Sequence, residues 1–309
     1  MSKDIYLVLA GGVGAAKFIE GLVKVIDQES LKIIVNTGDD IELFGLKICP
    51  DLDIITYTLS NLVDKNKGWG FIDDTFNCLE ILKNFYDSGW FNAGDKDLAI
   101  HIYRTDLFKR GYSKSEITKM ICEKLGVKPL LIPMSNEPVE TYIKTRTETM
   151  HFEEYFIKHQ CAPEVIGVEF RGIEQAKPVD GILEYIKKAR KIIVCPSNPI
   201  VSIGTILRVS GLKEALMKVK EKVYAISPII KGTTVKGPAD KLMKSVGFEA
   251  SCVGVAKYYK EILGNFIIDN EDGKLKPIIE NLGINTYCFN TLMTNINKKE
   301  ELARFVINL

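Results

Sequence analysis

Gly11, Gly12, Gly14 and Lys17 form the pattern G-G-x-G-x-x-K between the apolar run Ile5–Ala10 and the helix-forming stretch Ala15–Ile19. Strand, glycine turn and helix, in that order, aim backbone N–H groups and a helix N-terminus at an anion, phosphate above all. Glycine admits a close approach, or a turn with positive φ, that a Cβ would block. One anion gains only roughly 0.3–1 kcal/mol from a helix end, so real affinity needs several phosphate oxygens. The pattern is not a P-loop, because Phe18 follows Lys17 where Ser or Thr is required. It is not the dinucleotide fingerprint either. That motif wants glycine where Lys17 stands and an acid where Asn36 closes the second strand. A tight turn without a ligand is the plain alternative.

Two further polar groups have chemistry to offer. Asn36, Asp39 and Asp40 in VNTGDD follow the second apolar run, and Asp51 and Asp53 in CPDLD open a helical stretch. The first group is also ordinary turn chemistry. Asp51 is also a natural helix N-cap, after a Pro50 that begins a turn. Two carboxylates spaced i and i+2 at a helix start can instead hold Mg²⁺ while the metal meets phosphate oxygens. Later in the chain, Ser197, Asn198, Ser202 and Gly204 follow one apolar run and Ser227 follows another. Their hydroxyls, amide and free N–H groups suit phosphates or a purine edge.

The elements that must position these residues read as alternating strands and helices. A first helix over about Ala15–Val25 and a second strand over Lys32–Asn36 make a βαβ unit, hence a right-handed crossover and a parallel sheet. Ligands of such sheets bind outside the carboxyl ends of the strands, which gathers the polar loops on one rim. Residues 64–126 read as a helical cluster at one edge of the sheet, with a Ser113/Glu116 capping box. Trp69, Phe71, Trp90 and Phe91 there are core residues or a wall for a planar ring. His101 reads as a packing or capping residue. After a strand ending at Pro133, residues 137–178 break the alternation with antiparallel-type strands and a short helix over Phe152–Lys158, as a small insertion would. Strands at Lys191–Cys195, Val223–Ile226, Asn265–Ile268 and Ile284–Cys288 then complete an α/β fold with a mostly parallel sheet.

Composition excludes several classes. The 309 residues are 46% hydrophobic and 26% charged with a net charge of +1, enough apolar material for a large core. No basic stripe suggests nucleic acid, and no apolar run suggests a membrane span. Cys49, Cys78, Cys122, Cys161, Cys195, Cys252 and Cys288 are odd in number, scattered and without a C-x-x-C pair. Neither a disulfide framework nor a zinc site is indicated, and a cytoplasmic location is expected.

The ordered set LAGGVGAAKFIEGL, VNTGDD, CPDLDIITY, WGFIDDTF, AGDKDLAIH, LIPMSNEPVETYI, MHFEEYF, CPSNPIVSIGTIL, SPIIKG…VKGPADKLM and NTLM resembles the 2-phospho-L-lactate transferases of coenzyme F-420 biosynthesis. The likeness spans nearly the whole chain and implies one Rossmann-like, three-layer catalytic domain over 1–309. It implies transfer of the phospholactyl group of lactyl-2-diphospho-5′-guanosine to the ribityl hydroxyl of FO, the 7,8-didemethyl-8-hydroxy-5-deazariboflavin. GMP would leave, Mg²⁺ would be required, and the enzyme would be a homodimer. Asp53, and Asn92 where some members carry lysine, match positions that contact FO. The glycine loop, VNTGDD, PSNPIVSIG and the SPII loop match the part that binds the guanosine diphosphate portion. Many archaeal members read GGTGTPK where this chain has GGVGAAK, and some relatives with the present version use an enolpyruvyl donor. The expected catalytic and metal-holding residues are Asp51 and Asp53. A nucleotide-sugar-binding regulator that shares the GGxG and VNTxDD loops is the non-enzymatic alternative.

Overall fold

The computed structural model describes residues 4–87, 89–234 and 237–309. Val235 and Lys236 of the VKGPADKLM motif lie outside the described residues. The chain is built on a seven-stranded parallel sheet. Its strands are β1 (Tyr6–Ala10), β2 (Leu31–Val35), β3 (Leu130–Pro133), β4 (Lys191–Val194), β5 (Val223–Ile226), β6 (Asn265–Asp269) and β7 (Asn285–Phe289). They lie in the order β7-β6-β5-β4-β1-β2-β3. The order reverses between β1 and β4, and an open α/β sheet leaves a crevice at such a switch point, beyond the carboxyl ends of the strands.

Strand β1 shows why both faces are covered. Leu7 and Leu9 enter one hydrophobic cluster and Val8 and Ala10 the other, all fully buried. A strand apolar on both faces needs helices on both sides of the sheet. On one side lie α1 (Gly12–Leu22), α2 (Pro50–Leu59) and the last helix, Ile296–Asn308, through Phe18, Ile19, Leu22, Leu52, Ile55, Leu302 and Val306. The other side packs helices that include Ile182–Lys188 and Leu212–Met217.

Helix α1 starts three residues before the Ala15 read from sequence, because Gly12 and Gly14 are already helical. The regular elements between α2 and β3 are helices, led by α3 (Asp95–Lys109) and α4 (Lys114–Lys124), with turns and loops between them, and the Ser113/Glu116 capping box is present. The hairpin Ile41–Leu43/Leu46–Ile48 was not legible in advance. Its strands have three residues each, below the length at which alternation is visible. Strands Glu140–Thr145, Thr149–His151 and Val165–Arg171 form a separate three-stranded antiparallel sheet, followed in space by a π-helical turn at Glu154–Lys158. Among the described residues no helix is long and apolar enough to cross a membrane.

Candidate functional site

The crevice at the switch point opens into a cavity of about 530 Å³. Gly11, Gly12, Gly14, Lys17, Asp39, Asp51, Asp53, Asn92, Ser197, Asn198, Ser202 and Ser227 all line it. Asn36, Asp40 and Gly204 do not, and each stands one layer behind.

The glycines are explained first by packing. A Cβ on Gly11 would come within 2.7 Å of Ser202 Cβ and 2.8 Å of Asp51 Oδ2. One on Gly14 would run into the Pro196 carbonyl, and Gly12 has φ +69°. Gly14→Ala is therefore expected to cost roughly 1–3 kcal/mol of stability by overpacking, read as a lowered unfolding midpoint in scanning calorimetry. Gly11 N–H donates to Ser197 Oγ at 3.3 Å, and Gly12 N–H donates to Asp51 Oδ1 at 2.7 Å. Asp51 thus does not cap its own helix. Pro50 is the first residue of α2, Cys49 is its N-cap, and Asp51 turns its carboxylate to the N-terminus of α1.

Asn36 is the bracket behind this contact. Its Nδ2 donates to Asp51 Oδ2 at 2.9 Å and to Asp39 Oδ2 at 3.2 Å, while its Oδ1 accepts from Gly38 N–H at 2.9 Å. Asp40 faces away from the cavity, accepting from buried Lys114 at 2.6 Å. Burial works against the Lys114 charge, but the Asp40 charge and hydrogen bond, together with other neighbours, raise the ammonium above its ordinary value. Asp39, Asp51 and Glu153 have no such counter-charge. Burial, then the Asp51, Glu153 and Asp40 charges, lift Asp39 well above the usual carboxylate range. Burial pushes Asp51 to about 7 against the Asn36 and Gly12 hydrogen bonds, and burial beside Asp51 pushes Glu153 to about 8. Asp39 Oδ1 is buried without a hydrogen-bond partner. Carboxyl oxygens crowded in this way fit a hard divalent cation, which takes oxygen ligands.

Asp53 looks elsewhere. Both its oxygens accept from the Arg104 guanidinium, Oδ2 from Nη1 at 3.0 Å and Oδ1 from Nη2. Burial raises the Asp53 carboxyl, and the Arg104 charge opposes that rise. Asp51 and Asp53 therefore serve different neighbours, and Asp51 shares the Asn36 amide donor with Asp39. Asn198 uses its side chain to accept from Ile200 and Val201 N–H, and Ser227 Oγ is bonded to Ile229. These two shape the rim. Gly204 packs against the Pro199 carbonyl and Tyr258. Lys17 is the only lysine or arginine lining the cavity among the described residues, and it has no ion-pair partner there.

Trp69 and Phe91 line the apolar wall. Phe71 packs on Tyr57 instead, with ring centroids 4.2 Å apart, and Trp90 sits edge-on to Phe91. Another part of that wall, Phe152, Phe156 and Ile157, comes with Glu153 from the antiparallel region. Sequence reasoning named none of these as site residues. The signal was an acid embedded in the aromatic run MHFEEYF. Asp97, His101 and Arg104 were likewise not read together, although spacings of i, i+4 and i+7 put them on one face of α3.

Comparison with known proteins is consistent over the whole chain. The family model "2-phospho-L-lactate transferase CofD" matches residues 7–282. A phosphoenolpyruvate transferase of Streptomyces griseus is 39% identical, with 98% of this chain and 97% of that one covered. A 2-phospho-L-lactate transferase of Methanosarcina acetivorans is 38% identical, with 98% of each covered. A solved UPF0052-family structure from Bacillus halodurans superposes with a TM-score of 0.64 at 17% identity, over 98% of this chain and 99% of that one, and shows the fold alone. The glycine loop braced by Asp51 thus sits in a chain that belongs to the 2-phospho-L-lactate transferase (CofD) family.

Proposed function

We propose that the protein transfers the 2-phospholactyl group of lactyl-2-diphospho-5′-guanosine to the terminal ribityl hydroxyl of FO, with GMP as leaving group. The observation that carries this reading is one cavity with two kinds of wall. Glycine-loop and serine groups with Lys17 suit a diphosphate, and Trp69, Phe91, Phe152 and Phe156 suit a planar deazaflavin ring. Phosphoryl transfer needs positioning and charge neutralisation more than covalent help.

In this reading Asp51 and Asp39 would hold Mg²⁺ beside Glu153, and the bound ion would supply charge neutralisation to the diphosphate. Ser197 and Ser202 orient the donor, and Lys17 offsets its charge. Asp53, held on Arg104, orients the acceptor hydroxyl and takes its proton. Asn92, on the cavity lining, adds a polar contact to FO. The protein works as a homodimer, which light scattering checks. The absence of disulfides among its seven cysteines supports a cytoplasmic setting.

The carboxyl cluster gives this reading a pH signature. Asp51 at about 7 and Glu153 at about 8 stand above their unfolded values, so the folded chain binds more protons than the unfolded one between those limits. Stability of the metal-free chain then falls as pH rises from about 4 to about 8. Mg²⁺ is expected to raise the melting temperature more at about pH 8 than at about pH 5.5. An equal rise at both would argue against these carboxyls as its seat.

A second reading keeps the chemistry and changes the donor to the enolpyruvyl analogue, as the name of the Streptomyces griseus relative suggests. The deciding experiment supplies FO, Mg²⁺ and each guanosine donor in parallel and follows GMP and the deazaflavin product by chromatography. Product with one donor supports the transferase and fixes the acyl group. No product with either, from protein that still binds GDP, would favour the nucleotide-binding regulator.

A further inference from the structure

His101 is 1% exposed and lies between two acids on the cavity wall. Its Nδ1 is 3.2 Å from Arg104 Nη1 and 3.7 Å from Asp53 Oδ2, while Nε2 is 3.6 Å from Asp97 Oδ2. Asp97 is fixed in turn by the Tyr57 hydroxyl, which donates to Oδ1 at 2.6 Å. Asp53, Asp97 and His101 lie close enough to suggest a metal site. The geometry opposes that. The two acids approach opposite edges of the ring, and an ion beside Asp53 would face the Arg104 guanidinium.

A guanidinium only donates, so Nδ1 is the acceptor in its contact with Arg104. Arg104 has one further anchor nearby, the Lys47 carbonyl at 3.3 Å from the same Nη1. We infer that His101, braced by Asp97 and Tyr57, is a positioning residue that sets the Arg104 fork and thereby aims Asp53 at the acceptor hydroxyl. This rests on the transferase reading above. The Nε2 edge faces Asp97 Oδ2 at 3.6 Å and makes no hydrogen bond.

The choice of side chain tests the assignment. In His101→Asn an amide oxygen takes the place of Nδ1, whereas in His101→Gln the amide reaches the place of Nε2, and His101→Leu offers neither. With FO as varied substrate, His101→Asn should stay within a few-fold of wild-type kcat. His101→Gln and His101→Leu should lose about 10–100-fold, the range seen when groups that orient a functional residue are removed. The donor KM and GDP affinity should not move, and FO affinity, read by its fluorescence, should weaken only in the Gln and Leu variants. Equal kcat in all three variants, or losses that simply follow melting temperature, would overturn the inference. A wild-type protein without product from any donor would overturn the transferase reading instead.

Discussion

Asp53→Asn is expected to abolish most transfer, by about 10²–10⁴-fold in kcat, the usual worth of a positioned proton acceptor. It should also destabilise the fold. Arg104 is 3% exposed and pairs with both Asp53 oxygens, so the substitution leaves a buried guanidinium without its anion. Breaking such a pair from one side costs about 3–5 kcal/mol, whereas replacing both partners with apolar groups is often neutral. The double variant Asp53→Leu/Arg104→Met should therefore recover much of the denaturation free energy while remaining inactive. Chemical denaturation and product formation, measured on the single and double variants, separate the two roles. A double variant that regains turnover would remove Asp53 from the chemistry.

Asp51→Asn should inactivate the protein without that stability cost. Its Oδ1 can still accept from Gly12 N–H, and the charge it removes is one that burial disfavours, with a carboxyl already at about 7. Stability near pH 8 is expected to hold or rise, set against the loss of one acceptor for Asn36. Divalent-ion affinity, measured by Mn²⁺ spin resonance on the nucleotide-free protein, should fall by at least about 10²-fold, beyond what outer-sphere changes cause. Transfer should fall with it. Two acids two residues apart would then differ in sign on stability, one standing against a helix end and the other against a cation. Unchanged ion binding in Asp51→Asn would move the metal away from the glycine loop.

Among the site residues named from sequence, one group has the simplest basis: it sits at the carboxyl ends of parallel strands. Gly11, Asn36, Asp39, Ser197 and Ser227 follow β1, β2, β4 or β5 closely, so the βαβ rule alone places them on one rim. The partners of those residues were not legible. That Asp51 serves α1 rather than its own helix depends on how two helices pack, and a capping preference carries no such information. Glu153 arrives from an antiparallel sheet whose docking is decided by Phe152, Tyr155 and Met150 entering the main core. His101 looked like a packing residue because a lone histidine on a helix says nothing of what faces it. Its neighbours Asp97 and Arg104 on α3 were the readable clue.

The strand order has a consequence in time. β1 is an interior strand and the first of the seven to be synthesised, with β2 soon beside it, but its other edge is paired by β4. Gly11 waits for Ser197 across 186 residues. At about 5–20 residues per second, that is a delay of roughly 10–40 s during which an apolar strand keeps an open edge. Nucleotide cannot shorten the wait, because the crevice that would receive it has only one wall until β4 arrives. The nascent chain is thus most in need of shelter over its middle third, and slowing translation there should raise the aggregated fraction more than slowing it after β4.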